Sequence, residues 1–257
     1  FVNPLLKRKA FIWWNFPVSD YVRDRLLLGA VYGNGTDIDD DISAFISNPM
    51  EHAEASKIAL FSIADYAWNM DAYKSDASWR RAVRYLMPGH AAALQVFASH
   101  NSDLGGNEHD FRREESEQIR PALERLLDAY CREGKREVAA ASAVTEECER
   151  MIASADLLLA SDENPALIKE ISPWLIQFKL LGEYGREVLC MLAAQCDGKK
   201  TELEKAASHA KALQVLMKKI DATYNQNGFQ PGVKTGSCHL KPAFDRLYQE
   251  VVQRTGK

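Results

Sequence analysis

The residues best suited to chemistry in this sequence cluster near its N-terminus: Trp13, Trp14, Asn15 and Asp20, with Asn48 further along. A flat aromatic face suits the apolar side of a pyranose ring. A hydroxyl both donates and accepts, so Asn and Asp can satisfy it while aromatic walls exclude water. The residues alone allow two readings. In one, the Trp pair is core and the polar residues form turns or caps. In the other, two strands each end in an Asn at the C-terminal mouth of a barrel, where binding residues gather.

Other chemistries find less support. The acidic run Asp37-Ile38-Asp39-Asp40-Asp41 lacks the EF-hand spacing and reads as solvated. Ser19 has no G-x-S-x-G around it. There is no Walker loop, no G-x-G-x-x-G and no H-E-x-x-H, so neither a cofactor nor a metal is expected. His52, His100 and His109 read as capping or surface residues. Arg112-Arg113-Glu114-Glu115 reads as a charged helix start. The cysteines (Cys131, Cys148, Cys190, Cys196, Cys238) are odd in number and form no C-x-x-C. They suit small buried hydrophobes better than a disulfide framework or a zinc module.

Two kinds of element must position the Trp–Asn cluster. Ala10–Phe16 is a compact apolar run, predicted to be a buried strand. Val18–Leu28 is a helix or turn region stopped by Gly29, and Val31–Asp41 is a loop. Ile42–Asn48 is a second strand, ended by Asn48-Pro49. This order fits a parallel sheet or barrel. Two strands cannot stabilise such a sheet alone, so the N-terminal part reads as the tail of a larger α/β domain.

Helices are expected from there on: Glu51–Trp68, Ser78–Leu86, His90–Phe97 and Glu117–Arg132, with a polar loop over Asn101–Glu115. Steps of three and four follow in Ala141, Val144, Cys148, Met151, Ala155 and Leu158. They recur in Leu203, Ala206, Ala210, Leu213, Met217, Ile220 and Tyr224. Such stripes predict long antiparallel helices in a bundle. Asn164-Pro165 reads as an N-cap with Pro at the first helical position, and Thr201 with Glu204 as a capping box. Pro173 should kink or restart its helix. Gly182 and Gly185 mark a close approach by a neighbour. Asn225–Ser237 is a second loop, and Lys241–Arg254 a last helix with Phe244, Leu247 and Val251 inward.

Acids and bases are both plentiful over the 257 residues and nearly balance, to a formal charge of −4. That argues against a dedicated nucleic-acid or membrane-surface binder. No apolar run is long enough to span a bilayer. Phe1-Val2-Asn3-Pro4 carries neither an initiator Met nor a signal-peptide pattern, so a processed chain or a fragment is expected.

One family joins these readings. The stretch Ile12-Trp13-Trp14-Asn15-Phe16-Pro17-Val18-Ser19-Asp20-Tyr21-Val22-Arg23-Asp24 resembles a signature near the end of the catalytic barrel of family 84 glycoside hydrolases. These are bacterial β-N-acetylglucosaminidases, often labelled hyaluronidases, related to O-GlcNAcase. Further likeness lies in Ser47-Asn48-Pro49-Met50-Glu51-His52, Tyr66-Ala67-Trp68-Asn69, His100-Asn101-Ser102-Asp103-Leu104-Gly105 and Gln230-Pro231-Gly232-Val233-Lys234-Thr235.

The resemblance implies a mainly α chain. A multi-helix bundle (75–257) would follow the last two βα units of a (β/α)8-like barrel (1–74). It implies retaining, substrate-assisted hydrolysis of terminal β-linked GlcNAc, an exception to the usual double carboxylate displacement. The catalytic Asp pair would lie upstream of Phe1, leaving no catalytic residue in this chain and making it inactive alone. Trp13 would line the N-acetyl pocket, Asp20 would bond the far hydroxyls, and Asn15 and Asn48 would contact the sugar. Expected partners are a GlcNAc-terminated glycan or glycoconjugate and the preceding part of the same protein, without nucleic acid or membrane. The resemblance also implies a periplasmic or secreted enzyme. The alternatives are a helical interaction or homodimerisation module, and a carbohydrate-binding role without turnover.

Overall fold

The computed structural model describes residues 2–104 and 113–255. A short helix, α1 (Val2–Leu6), leads into β1 (Ala10–Pro17), which pairs in parallel with β2 (Ile42–Asn48). Trp13 lies opposite Ile46, and Pro17 opposite Asn48. Side chains alternate across a strand. Trp14 and Phe16 turn inward, where Trp14 meets Phe45 edge-on at 5.4 Å and Tyr66 at 6.1 Å. The expected burial of β1 does not hold along its length, since Phe11, Ile12 and Trp13 are exposed. Among the described residues β1 pairs with β2 alone, so one edge and the outer face stay open.

The connection from β1 to β2 contains no helix, so the first expected βα unit lacks its α. Residues 18–41 turn instead, with the Val22 N–H on the Ser19 carbonyl and the Arg25 N–H on that of Val22. Leu26, Leu27 and Leu28 are nevertheless buried. Buried backbone must find partners, and here other elements supply them. Leu28 N–H donates to the Asn101 carbonyl (2.8 Å), the Trp79 indole to the Leu28 carbonyl (2.8 Å), and Val31 N–H to Ser62 Oγ (2.9 Å).

The helices are α2 (Ala53–Trp68), α3 (Ser75–Leu86), α4 (Ala91–Ser99), α5 (Arg120–Glu133), α6 (Val138–Leu159), α7 (Pro165–Cys196), α8 (Lys200–Tyr224) and α9 (Leu240–Thr255). The hairpin β3 (Asn225–Asn227) and β4 (Gln230–Pro231) breaks the expected second loop. The polar loop Asn101–Glu115 is described only at its two ends; His109 and Arg112 lie outside the described residues.

Helix α7 is the axis of the bundle, packed against α6, α8 and α9, and it also touches α2. Its Phe178 is fully buried, edge-on to Phe97 at 5.3 Å. The close approach at its glycines is real. A Cβ on Gly185 would lie 2.5 Å from the Phe244 ring, and one on Gly182 would lie 3.0 Å from the Cys148 carbonyl oxygen. Asn164 caps α7 through the Leu167 N–H (3.2 Å). The helix continues through Pro173, so it does not restart behind Ser172.

Other local readings also shift. Helix α8 begins at Lys200, so Thr201 sits inside its first turn and Lys199 precedes it without a side-chain cap. The α6 stripe is buried from Val144 to Leu158, with Ala140 rather than Ala141 innermost. The α8 stripe fades beyond Ala210, leaving Leu213 and Ile220 half-buried. Cys148 is the buried hydrophobe expected; Cys190 and Cys196 are exposed, and Cys238 lies in a turn. Glu115 does not start a helix. Its buried carboxylate accepts the Cys238 and His239 N–H groups (3.0 and 2.9 Å) ahead of α9. His100 is not a surface residue. It is buried between Glu147 Oε1 (2.6 Å) and Ser116 Oγ (2.8 Å), across helices no sequence window spans.

Candidate functional site

The strand period that sends Trp14 and Phe16 inward sends Trp13 and Asn15 to the other face. There the Trp13 indole N–H donates to Asn15 Oδ1 at 2.7 Å, and Asn48 Nδ2 donates to the same oxygen at 3.2 Å. One Asn15 oxygen thus ties the two strand ends together. Trp13 remains 67% exposed, so its ring is a face rather than a core element.

Asp20 comes from the turn just beyond β1. With Ser19, Arg23, Asn48 and Glu51 it lines an open cleft of about 260 Å³. Asn48 links this cleft to the Asn15 cluster. Trp13, Asn15, Asp20 and Asn48 therefore gather at one end of the two-stranded sheet. The cleft wall carries two acids and one cation, with Arg23 Nη1 3.4 Å from Glu51.

The turn bearing Asp20 is fastened by the helical part of the chain. The Asp24 carbonyl accepts the Lys234 N–H (2.7 Å) and the Trp174 indole N–H (2.9 Å). The Asp24 carboxylate meets Lys234 Nζ at 2.5 Å. Arg25 reaches the Leu104 carbonyl at 2.6 Å. On the other strand end, Glu170 of α7 accepts the Ala55 N–H (2.7 Å), capping α2, whose own N-cap His52 makes no cap bond. The His52 ring stands edge-on to Trp174 at 4.8 Å. Burial pushes its pKa below the ordinary value, against the opposing pull of Glu170 and Glu51.

Reading for chemistry-bearing types missed this second set: Asp24, Trp174, Glu170 and Lys234. Two of them stood inside quoted motifs, Asp24 in the stretch from Ile12 and Lys234 in Gln230–Thr235. Trp174 and Glu170 carried no local signal, because their partners lie over a hundred residues away.

A second cleft, of about 230 Å³, opens among Trp79, Arg113, His100, Ser116 and Glu147. Its charged groups pair with one another: Glu147 with His100 and Arg150, and Arg113 with Asp76 and the Trp79 ring. Burial works against ionisation of Glu147, but His100 and Arg150 outweigh it and hold its pKa below the usual carboxylate range. Among the described residues no cluster of His, Cys, Asp or Glu could hold a metal ion.

Comparison with known proteins agrees with this architecture. Residues 115–248 match the family described as bacterial GH84, post-catalytic domain, and residues 1–99 match beta-N-acetylglucosaminidase. The proteins named protein O-GlcNAcase of Rattus norvegicus and Mus musculus are each 32% identical over 76 residues, which is 29% of this chain and 8% of theirs. Among solved structures, CpGH84B is 25% identical over 96% of this chain and 40% of its own, with a TM-score of 0.84. CpGH84D is 26% identical over 98% of this chain and 41% of its own, with a TM-score of 0.83. An O-GlcNAc hydrolase variant of Thermobaculum terrenum shares the fold at 20% identity and a TM-score of 0.74, over 52% of its length.

These matches define a mainly α glycoside hydrolase segment in which a helical bundle follows a parallel strand pair. The chain belongs to the family 84 glycoside hydrolases, and residues 115–248 are their bacterial post-catalytic domain. It spans about two fifths of the length of the two Cp structures it matches.

Proposed function

We propose that this chain supplies the sugar-recognition wall and the supporting bundle of a β-N-acetylglucosaminidase that removes terminal β-linked GlcNAc. The observation that carries the reading is the convergence of Trp13, Asn15, Asp20 and Asn48 on one strand end. An aromatic face and three amide or carboxylate groups form a chemical match for a hydroxylated ring with an N-acetyl arm. Asp20 accepts from the far hydroxyls, Asn15 and Asn48 bond the ring, and Trp13 walls the acetamido group. Residues 1–74 complete a barrel in this reading, and 75–257 form the bundle, with α3 and α4 at the junction.

Hydrolysis is substrate-assisted. The 2-acetamido oxygen attacks the anomeric carbon as the leaving oxygen takes a proton, and water then opens the oxazoline. In this reading no residue of this chain is assigned as the acid or base for those steps, and its contribution is placement. Holding the ring in register converts binding into rate. In the longer protein, Asp20→Ala lowers kcat/KM toward an aryl β-N-acetylglucosaminide by about a hundredfold or more. Near-normal kcat/KM in that variant overturns the assignment.

A second reading, a bundle that self-associates, rests on Val215 and Leu216, exposed on α8. Sedimentation of the chain at rising concentration separates the two. A monomer throughout removes the second reading, and a concentration-dependent dimer sustains it.

A further inference from the structure

A residue from the far end of the chain packs against Arg23 on the wall of the Asp20 cleft. At the tip of the β3–β4 hairpin, Phe229 is 68% exposed. An apolar ring so exposed gains little from burial in the fold. Its position is nevertheless set. The Arg23 guanidinium lies over the ring at 4.8 Å, and Arg23 is itself held by the Asp20 carbonyl (3.1 Å) and Glu51 (3.4 Å) on the cleft wall. The tip is fixed by the Phe229 N–H on Asn227 Oδ1 (2.8 Å). The hairpin base is fixed by the Val233 N–H on Asp221 Oδ1 (2.8 Å), with Gln177 on the Val233 carbonyl (3.1 Å).

We propose that Phe229 is a binding residue for the sugar that precedes the terminal GlcNAc, stacking on that second pyranose as it leaves the cleft. One ring face is occupied by Arg23, a residue of the cleft wall, and the rest of the ring is open to a group leaving the cleft. The same hairpin also carries Gln226, exposed like Phe229. This assignment rests on the GlcNAc reading of the Asp20 cleft. It adds that the bundle segment sets specificity for what the GlcNAc is attached to. The recognised group is a pyranose rather than a peptide, because the hairpin offers a flat ring and amides with no charge complement of its own.

The test compares two substrates in the longer protein. One is N-acetylglucosaminyl fluoride, whose leaving group is too small to reach Phe229. The other is a β-linked GlcNAc disaccharide. Phe229→Ala lowers the ratio of kcat/KM for the disaccharide over the fluoride by about three- to tenfold, the range expected for one aromatic stack. The loss falls in KM, and Phe229→Tyr restores the ratio. An unchanged ratio overturns the proposal, whether because both substrates suffer equally or because neither does. So does a loss confined to a GlcNAc-modified peptide, which would make the hairpin a peptide contact. Failure of the underlying reading looks different: the wild-type protein then cleaves neither substrate, or Asp20→Ala leaves fluoride turnover intact.

Discussion

The two ends of this molecule solve the burial problem in opposite ways. Around α7 every neighbour is present. Phe178, Leu181 and Leu192 are fully buried, and even Gly185 and Gly182 are in close contact with Phe244 and Cys148. At β1 the side chains of Trp14 and Phe16 are packed, but Phe11, Ile12 and Trp13 are exposed, with no strand beyond β1 among the described residues. A bundle closes on itself, whereas a parallel pair needs further strands. The contrast teaches that the candidate site residues are mounted on the half of the structure that borrows its rigidity. Asp24, held by Trp174 and Lys234, and Ala55, capped by Glu170, are the points where it is borrowed.

The largest test of that contrast lies in the bundle. Phe178→Ala removes a fully buried ring and lowers stability by roughly 3–5 kcal/mol, read in the urea midpoint. A loss below about 1 kcal/mol would mean the bundle is not the stable half. Next come the fastenings. Lys234→Met leaves the Asp24 carboxylate with Arg25 as its nearest cation. Because Lys234 is partly exposed, the expected stability cost is about 1 kcal/mol. In the longer protein the same change raises KM for an aryl GlcNAc substrate, since the turn carrying Asp20 loosens. An unchanged KM would show that the bundle supports the fold but does not position the site.

Smaller effects sharpen the comparison. The depressed His52 pKa means the folded state resists protonation while the unfolded chain accepts it. Stability is therefore full above about pH 6.5 and declines as pH falls from there toward the folded pKa. His52→Gln flattens that limb of the Tm–pH profile, and an unaltered slope would remove His52 as its source. At the foot of the scale, Trp13→Ala changes stability by less than about 0.5 kcal/mol, as suits an exposed side chain. A larger loss would make Trp13 structural rather than a binding face.

How much of this could be read in the sequence follows from the range of each interaction. The helices of the bundle were legible because periodicity is local: Val144, Cys148, Met151, Ala155 and Leu158 repeat at helical spacing and are buried. The Asn164 cap and the crowding at Gly182 and Gly185 were legible for the same reason. The Trp13–Asn15–Asn48 cluster was half legible. The two strands and their residue types were visible, but the shared hydrogen bond on Asn15 Oδ1 depends on register. What stayed hidden acts at long range. Residues 18–41 form no helix, and their buried backbone at Leu28 and Val31 bonds instead to Asn101, Trp79 and Ser62. His100 is internal because Glu147 approaches it from α6. Phe229 stands beside Arg23 although most of the chain separates them.

The central claim is a division of labour, with recognition and support in this chain and bond cleavage elsewhere. It is tested most directly by assaying the purified chain and the longer protein side by side on an aryl β-N-acetylglucosaminide. The account predicts turnover by the longer protein and none by the chain alone. Turnover by the chain itself, persisting after contaminating hexosaminidase is removed, would contradict it.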